Sequence, residues 1–195
     1  MIGALVLAAG ASSRMGVPKW SLPVPPDGLT FLDAILATLR EAAVARVRVV
    51  VAPGAPAAVE FVVNPDPARG MLSSVQCGLR ALDSGPAAVL LWPVDHPLVT
   101  TATVIAMIAA RSAWDHPVVV PTFEGRRGHP VLFASRVLPE LLAADPAEGA
   151  RAVVHAHRDR CELAVPDPGV VTGIDTREDY RRAFGCDVPR ASEVS

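Results

Sequence analysis

The chain reads as an α/β protein built on an open, mostly parallel sheet wound on both faces, with a small β insertion. Two observations carry this reading. Short runs rich in β-branched residues recur along the sequence and stay apolar on successive residues, as strands buried on both faces require. Between them lie stretches with helix start signals, and strand–helix alternation of this kind builds a doubly wound sheet. In such a sheet the ligand crevice lies beyond the carboxyl ends of the strands. The residues that follow each run are therefore the candidates for chemistry.

IGALVLAA (2–9) is the first expected strand. TFLDAILATLREAA (30–43) opens on a threonine with an acidic residue three positions later, the signature of a capping box, and reads as a helix. VRVVVA (47–52) and VEFVV (59–63) are the next two strands, and SSVQCGLRALDSG (73–85) is a helix ending on glycine. AAVLLW (87–92) and PVVVPT (117–122) are strands flanking a helix, TTATVIAMIAARSA (100–113), which opens on threonines. FEGRRGHPVLF (123–133) breaks the pattern, with two short strands around a Gly-rich turn, a β insertion or an antiparallel edge. CELAV (161–165) is a further strand, and a short apolar strand precedes Asp175, after which Thr176 caps a helix containing Glu178 and Asp179. Residues 1–185 are expected to form one domain, with 186–195 a patternless, frayed tail.

Composition excludes several classes. A hydrophobic fraction of 51% with 19% charged residues is that of a globular protein rather than a disordered one. A formal net charge of −2 gives no support to a nucleic-acid or membrane-surface partner. No apolar run reaches the ~18 residues that span a bilayer, and the apolar start lacks a basic region before it. Cys77, Cys161 and Cys186 are odd in number and widely spaced, as reduced thiols in a cytoplasmic protein would be. The five histidines show no zinc-ligand spacing with them.

The chemistry starts after the first strand. In AAGASSRMGVPK, Gly10 and Gly16 permit a tight bend and close backbone approach, Ser12 and Ser13 add hydroxyls, and successive amides can form an anion nest. Neither a Walker A loop nor GxGxxG is present. Arg14 and Lys19 place two cations at the mouth. Lys19 is the only lysine among the 18 basic residues. Arginine grips phosphate as a planar fork, whereas lysine is a compact, rotatable charge that can follow a phosphate whose geometry changes. Lys19 is therefore expected on the reacting phosphate.

In LLWPVDHPLVT (90–100), Asp95 stands between Pro93 and Pro97 at a strand end, a position suited to a Mg²⁺ ligand for a nucleoside triphosphate. Asp175, in GIDTREDY, offers a second carboxylate to the same metal. A turn-capping Asp95 and a helix-start Asp175 are the competing readings. NPDPARGMLSSVQCGL (64–79) has amides and hydroxyls that can read a base or ribose edge, with Ser73 alternatively a helix cap. GRRGHPV (125–131) offers Arg126, Arg127 and His129 to a second anionic substrate, or a solvated arginine pair.

Together these segments resemble the nucleotidyltransferase family that includes the molybdenum cofactor cytidylyl- and guanylyltransferases. LAAGASSRMGVPK is similar to the family signature LAAGxSxRMGxxK, VVNPDPARGMLSSVQCGL to its base-binding segment, in an NPxxxxGMxxSxxxGL form closer to the cytidylyl than to the guanylyl branch, and PVDHPLV to its metal motif. The resemblance extends from Ile2 to about Phe184. It implies a Rossmann-like nucleotidyltransferase fold and Mg²⁺-dependent transfer of CMP from CTP to molybdopterin, with release of pyrophosphate. By motif match it implies catalytic roles for Arg14, Lys19 and Asp95, and metal binding by Asp95 and Asp175. The implied nucleotide-binding set is Leu7, Ala8, Ala9, Gly10, Ser12, Ser13, Arg14, Lys19, Asn64, Gly70, Ser73 and Ser74. Arg126, Arg127, Gly128 and His129 would face the acceptor.

Three departures stand out. PVPPDGLTFLD (23–33) is longer and richer in proline than the family's turn, Gly173 replaces a frequent aspartate, and WPVDHP replaces LGDQP-like sequence. Guanylyl transfer, a sugar- or polyol-phosphate acceptor, or a noncatalytic cofactor-binding chaperone serving a molybdoenzyme remain the alternatives.

Overall fold

The computed structural model describes residues 1–190 except 27, 57, 59, 60, 83 and 84. In chain order the strands and helices are β1 (Ile2–Ala8), β2 (Pro23–Val24), β3 (Leu29–Thr30), α1 (Phe31–Glu41), β4 (Arg46–Val51), β5 (Phe61–Val63) and α2 (Met71–Ala81). There follow β6 (Ala88–Pro93), α3 (Thr101–Trp114), β7 (Val118–Phe123), β8 (Arg126–Arg127), β9 (Val131–Ala134), α4 (Leu138–Ala143), α5 (Ala150–Ala156), β10 (Cys161–Ala164) and α6 (Arg177–Phe184). The main sheet runs β10–β7–β9–β6–β1–β4–β5, with β8 paired to β7. β1 lies at its centre, parallel to both β4 and β6.

Period-two alternation divides the core. Ala4, Val6 and Ala8 face one side, packed with Phe31, Ile35 and Leu39 of α1, Val104 and Met107 of α3 and Tyr180 of α6. Leu5 and Leu7 face the other, with Leu72, Val75 and Leu79 of α2 and Leu141 of α4. β1 is apolar throughout because both faces are covered.

Helix starts follow the sequence signals. Thr30 Oγ1 accepts from the Asp33 amide at 3.0 Å and Asp33 Oδ2 accepts from the Thr30 amide at 3.3 Å, closing the expected box on α1. Thr176 and Asp179 close a second one on α6.

Several expectations need correction. β9 is neither an insertion nor an edge: it lies inside the sheet, antiparallel to both β6 and β7. α2 begins at Met71 with Gly70 as its cap, so Ser73 is inside the helix, where its hydroxyl donates to the Gly70 carbonyl at 2.7 Å. The apolar residues before Asp175 form a 3-10 turn, Pro168–Val171, rather than a strand. α4 and α5 were not anticipated. Residues 59 and 60 of the expected third strand lie outside the described residues, as do 191–195 of the tail. Of the rest of that tail, Asp187 accepts from Arg181 at 2.8 Å and Val188 is buried.

Asp167, which sequence reading passed over, fixes the 3-10 turn. Its buried carboxylate accepts from the Thr100 amide (2.9 Å), the Thr100 and Thr103 hydroxyls (2.9 and 2.6 Å) and the Gly169 amide (2.9 Å). A buried carboxylate with four donors is satisfied. The turn it anchors supplies the Val170 carbonyl that accepts from the His129 amide at 2.8 Å.

Candidate active site

β1 delivers the chain into the loop that holds both cations. The Ser12 carbonyl accepts from the amides of Met15 (2.9 Å) and Gly16 (3.0 Å), and the Ser12 hydroxyl accepts from the Lys19 amide at 3.2 Å. Met15 and Val17 are buried in the core, so alternate residues of RMGVPK anchor the loop while their neighbours stay at its surface. Gly16 has φ +81°, and the Arg177 guanidinium reaches 3.2 Å from where a Cβ would stand.

The two candidate metal ligands meet at Lys19. Its Nζ donates to Asp175 Oδ1 and lies 3.7 Å from Asp95 Oδ2, while Arg14 Nη2 lies 3.7 Å from Asp175 Oδ1. The segments themselves are joined, because the Asp95 carbonyl accepts from the Ile174 amide at 2.8 Å. The other carboxylate oxygen of Asp95 is 2.7 Å from His96 Nδ1. Burial pushes the Asp95 pKa up, but the His96 hydrogen bond and the charges of His96, Lys19 and His129 outweigh it and hold the carboxyl below its usual value.

This donor set fits a hard divalent cation. Both carboxylates already share one ammonium, that of Lys19. Among the described residues no cluster of three or more potential ligands exists. Mg²⁺ commonly takes one or two carboxylates and completes its shell with phosphates and water.

A crevice of about 280 Å³ runs from this cluster along the end of β1. Leu7, Ala8, Ala9, Gly10, Ser12, Lys19, Ser74, Asp95 and Asp175 of the predicted set line it, together with Pro67, Met71, Pro93 and Val94, which were not predicted. Ser13 instead lines a depression of about 430 Å³ between the loop and residues 52–56. Arg14 is exposed at the mouth. Asn64, Ser73 and Ser74 are buried, and Asn64 Nδ2 donates to Ser73 (2.9 Å) and Ser74 (3.0 Å). Asn64 and Ser73 brace the crevice wall from behind, and Gly70 lines neither cavity.

A larger cavity of about 500 Å³ adjoins the crevice, sharing Leu7, Met71 and Pro93 with it. Arg127, Gly128 and His129 line it; Arg126 does not. A Cβ on Gly128 would stand 2.1 Å from the Val170 carbonyl oxygen, so the hairpin can lie against the 3-10 turn only with glycine there. Burial, then the neighbouring His96, lower the His129 pKa to about 4, and its ring packs edge-on to His96 at 4.9 Å. Arg127 is engaged by Glu162 through two bonds of 3.0 and 2.7 Å. The far wall comes from Gly149, Ala150, Arg151, Val154 and His155, none of them predicted.

A mostly parallel sheet with these groups at its carboxyl edge is the Rossmann-like nucleotidyltransferase fold. Residues 4–161 match the MobA-like NTP transferase domain, and the chain belongs to that family. It is 26% identical to a probable molybdenum cofactor guanylyltransferase of Mycobacterium avium (strain 104), over 92% of this chain and 93% of that one. It is 23% identical, with the same coverage, to the molybdenum cofactor cytidylyltransferase of Escherichia coli (strain K12). Among solved structures, Rv0371c from Mycobacterium tuberculosis H37Rv superposes with a TM-score of 0.80 at 31% identity, covering 95% of this chain and 97% of that one. A manganese complex of Rv0371c superposes with a TM-score of 0.74 at 27% identity, covering 94% and 98%.

Proposed function

We propose that the protein transfers CMP from CTP to a molybdopterin-type acceptor, with a divalent cation, Mg²⁺ in the first instance, and release of pyrophosphate. The observation that carries this reading is the meeting of Lys19, Asp95 and Asp175 at the crevice beyond β1. In the reaction an acceptor phosphate oxygen attacks the α-phosphorus of CTP in line. A new P–O bond forms there as the bond to pyrophosphate breaks, and no protein nucleophile is required. Asp95 and Asp175 would hold the cation, which when bound offsets charge on the phosphate oxygens. Lys19 would face the α-phosphate and Arg14 the leaving pyrophosphate. The backbone of residues 8–10 and the Ser12 hydroxyl cradle the nucleotide, and Asn64, Gly70, Ser73 and Ser74 shape the wall at its base end.

GTP is the second reading, supported by the similarity to a guanylyltransferase. The resemblance of residues 64–79 to the cytidylyl form favours CTP. The deciding experiment incubates the protein with each of the four NTPs, Mg²⁺ or Mn²⁺ and molybdenum cofactor, and identifies the dinucleotide by mass. A CMP adduct is expected. A GMP adduct would move the protein to the guanylyl reading, and no adduct with any NTP would overturn the proposal.

A further inference from the structure

α5 forms the far wall of the 500 Å³ cavity and turns Arg151 and His155 to it. We infer that Arg151, held by His155, binds the polar end of the acceptor remote from its reacting phosphate, and so selects an acceptor with a ring system between two polar ends. This rests on the proposed assignment of the neighbouring crevice to the nucleotide.

Continuity places the acceptor here. The cavity opens into the crevice past Leu7, Met71 and Pro93, so a phosphate near His129 can meet a nucleotide held at Lys19. Beyond that junction the floor is apolar, formed by Val75, Leu91, Val120, Val131, Phe133 and Val154. Such a floor suits the faces of a ring. It penalises a polyol, because a buried hydroxyl without a hydrogen-bond partner is unfavourable.

The cations on this cavity differ in availability. Arg127 is held by Glu162, whose Oε1 also accepts from Arg160 at 2.9 Å, so its donors are engaged. Arg151 has no carboxylate partner among the described residues. Its Nε donates to His155 Nε2 at 3.2 Å, an i, i+4 contact on one helix face. That bond orients the guanidinium and leaves both terminal nitrogens for a ligand. Val153, buried in the core, fixes the helix that carries them. Arg151 is a binding residue in this arrangement, and His155 positions it.

The test measures steady-state kinetics of the full chain with CTP, Mg²⁺ and molybdenum cofactor, beside glycerol 3-phosphate as a small polyol phosphate. Arg151→Gln should raise the acceptor KM by roughly 10–100-fold, the worth of a charge-assisted hydrogen bond. kcat and the CTP KM should stay within about twofold, because the cavity's far wall does not touch the reacting atoms. Arg151→Lys should recover part of the loss, and glycerol 3-phosphate should be a poor acceptor for the wild type. An unchanged acceptor KM in Arg151→Gln, or a fall in kcat alone, would overturn this inference while leaving the nucleotidyltransferase reading intact. Efficient use of glycerol 3-phosphate would overturn the selectivity claim. A wild type inactive with molybdenum cofactor and every NTP would overturn both.

Discussion

Around the 280 Å³ crevice, Arg14, Lys19, Asp95 and Asp175 all lie within ion-pair distance of a neighbour. Around the adjoining 500 Å³ cavity the floor is apolar and charge is confined to the rim. The crevice is assembled from chain segments that leave parallel strands or open a helix, and its charges satisfy one another before any ligand arrives. The cavity is lined by an antiparallel pair, a short helix and the hairpin, and holds a guanidinium with no carboxylate partner among the described residues. Two carboxylates around one internal cation are the donor set that the proposed metal and its phosphates would need. An apolar trough with one oriented cation suits a ring with a polar end.

The largest effect expected on this contrast comes from Asp95→Ala. It removes a hard oxygen ligand from a turn, so turnover should fall by more than the ~10–100-fold that losing an outer-shell partner costs. The thermal transition should be nearly unchanged. Near-wild-type pyrophosphate release would reduce Asp95 to a turn residue.

Lys19→Arg keeps the charge but replaces a point with a fork. Displacing the charge by ~1 Å should lower kcat by ~10²-fold with a smaller change in CTP affinity. An unchanged kcat would mean that the lone lysine has no special part in the transition state.

Gly128→Ala attacks the other region. The added methyl meets the Val170 carbonyl, and overpacking of this kind costs ~1–3 kcal/mol. The midpoint of thermal unfolding should drop by roughly 2–12 °C, and acceptor use should weaken while CTP binding persists. Equal losses of both affinities would show that the two regions are not separable.

The smallest effect is the subtlest. Lys19→Ala removes the cation that competes for Asp95 and Asp175, so Mn²⁺ should bind roughly two- to fivefold more tightly without nucleotide, the worth of a modest ion pair. Electron paramagnetic resonance titration would read this directly. Weaker binding would mean that Lys19 organises the carboxylates instead of competing for them.

The same contrast explains what the sequence made legible. The residues of the crevice sit in contiguous stretches whose apolar runs announce parallel strands, and each strand end exposes its loop to the same edge. The strand ends therefore bring Gly10, Lys19 and Asp95 to one edge, whereas Asp175 follows a 3-10 turn and joins them through the bond between Ile174 and the Asp95 carbonyl. β9 was misread because VLF is too short to announce its neighbours, and pairing partners are set by tertiary context rather than by four residues. α5 is seven residues long and begins after a glycine with φ +73°, without a capping side chain, so Arg151 and His155 carried no local signal. Asn64 and Ser73 are given to the nucleotide by the family resemblance, which carries no information on which way their side chains face. Burial turned them toward one another.

The central claim is that nucleotide and acceptor occupy these two compartments separately. A crystal structure with a non-hydrolysable CTP analogue and Mn²⁺ tests it most directly. The account predicts phosphates against the loop from Gly10 to Lys19, Mn²⁺ on Asp95 and Asp175, and the cavity beside α5 left open. A nucleotide seated between β9 and α5, or a metal bound away from both carboxylates, would contradict it.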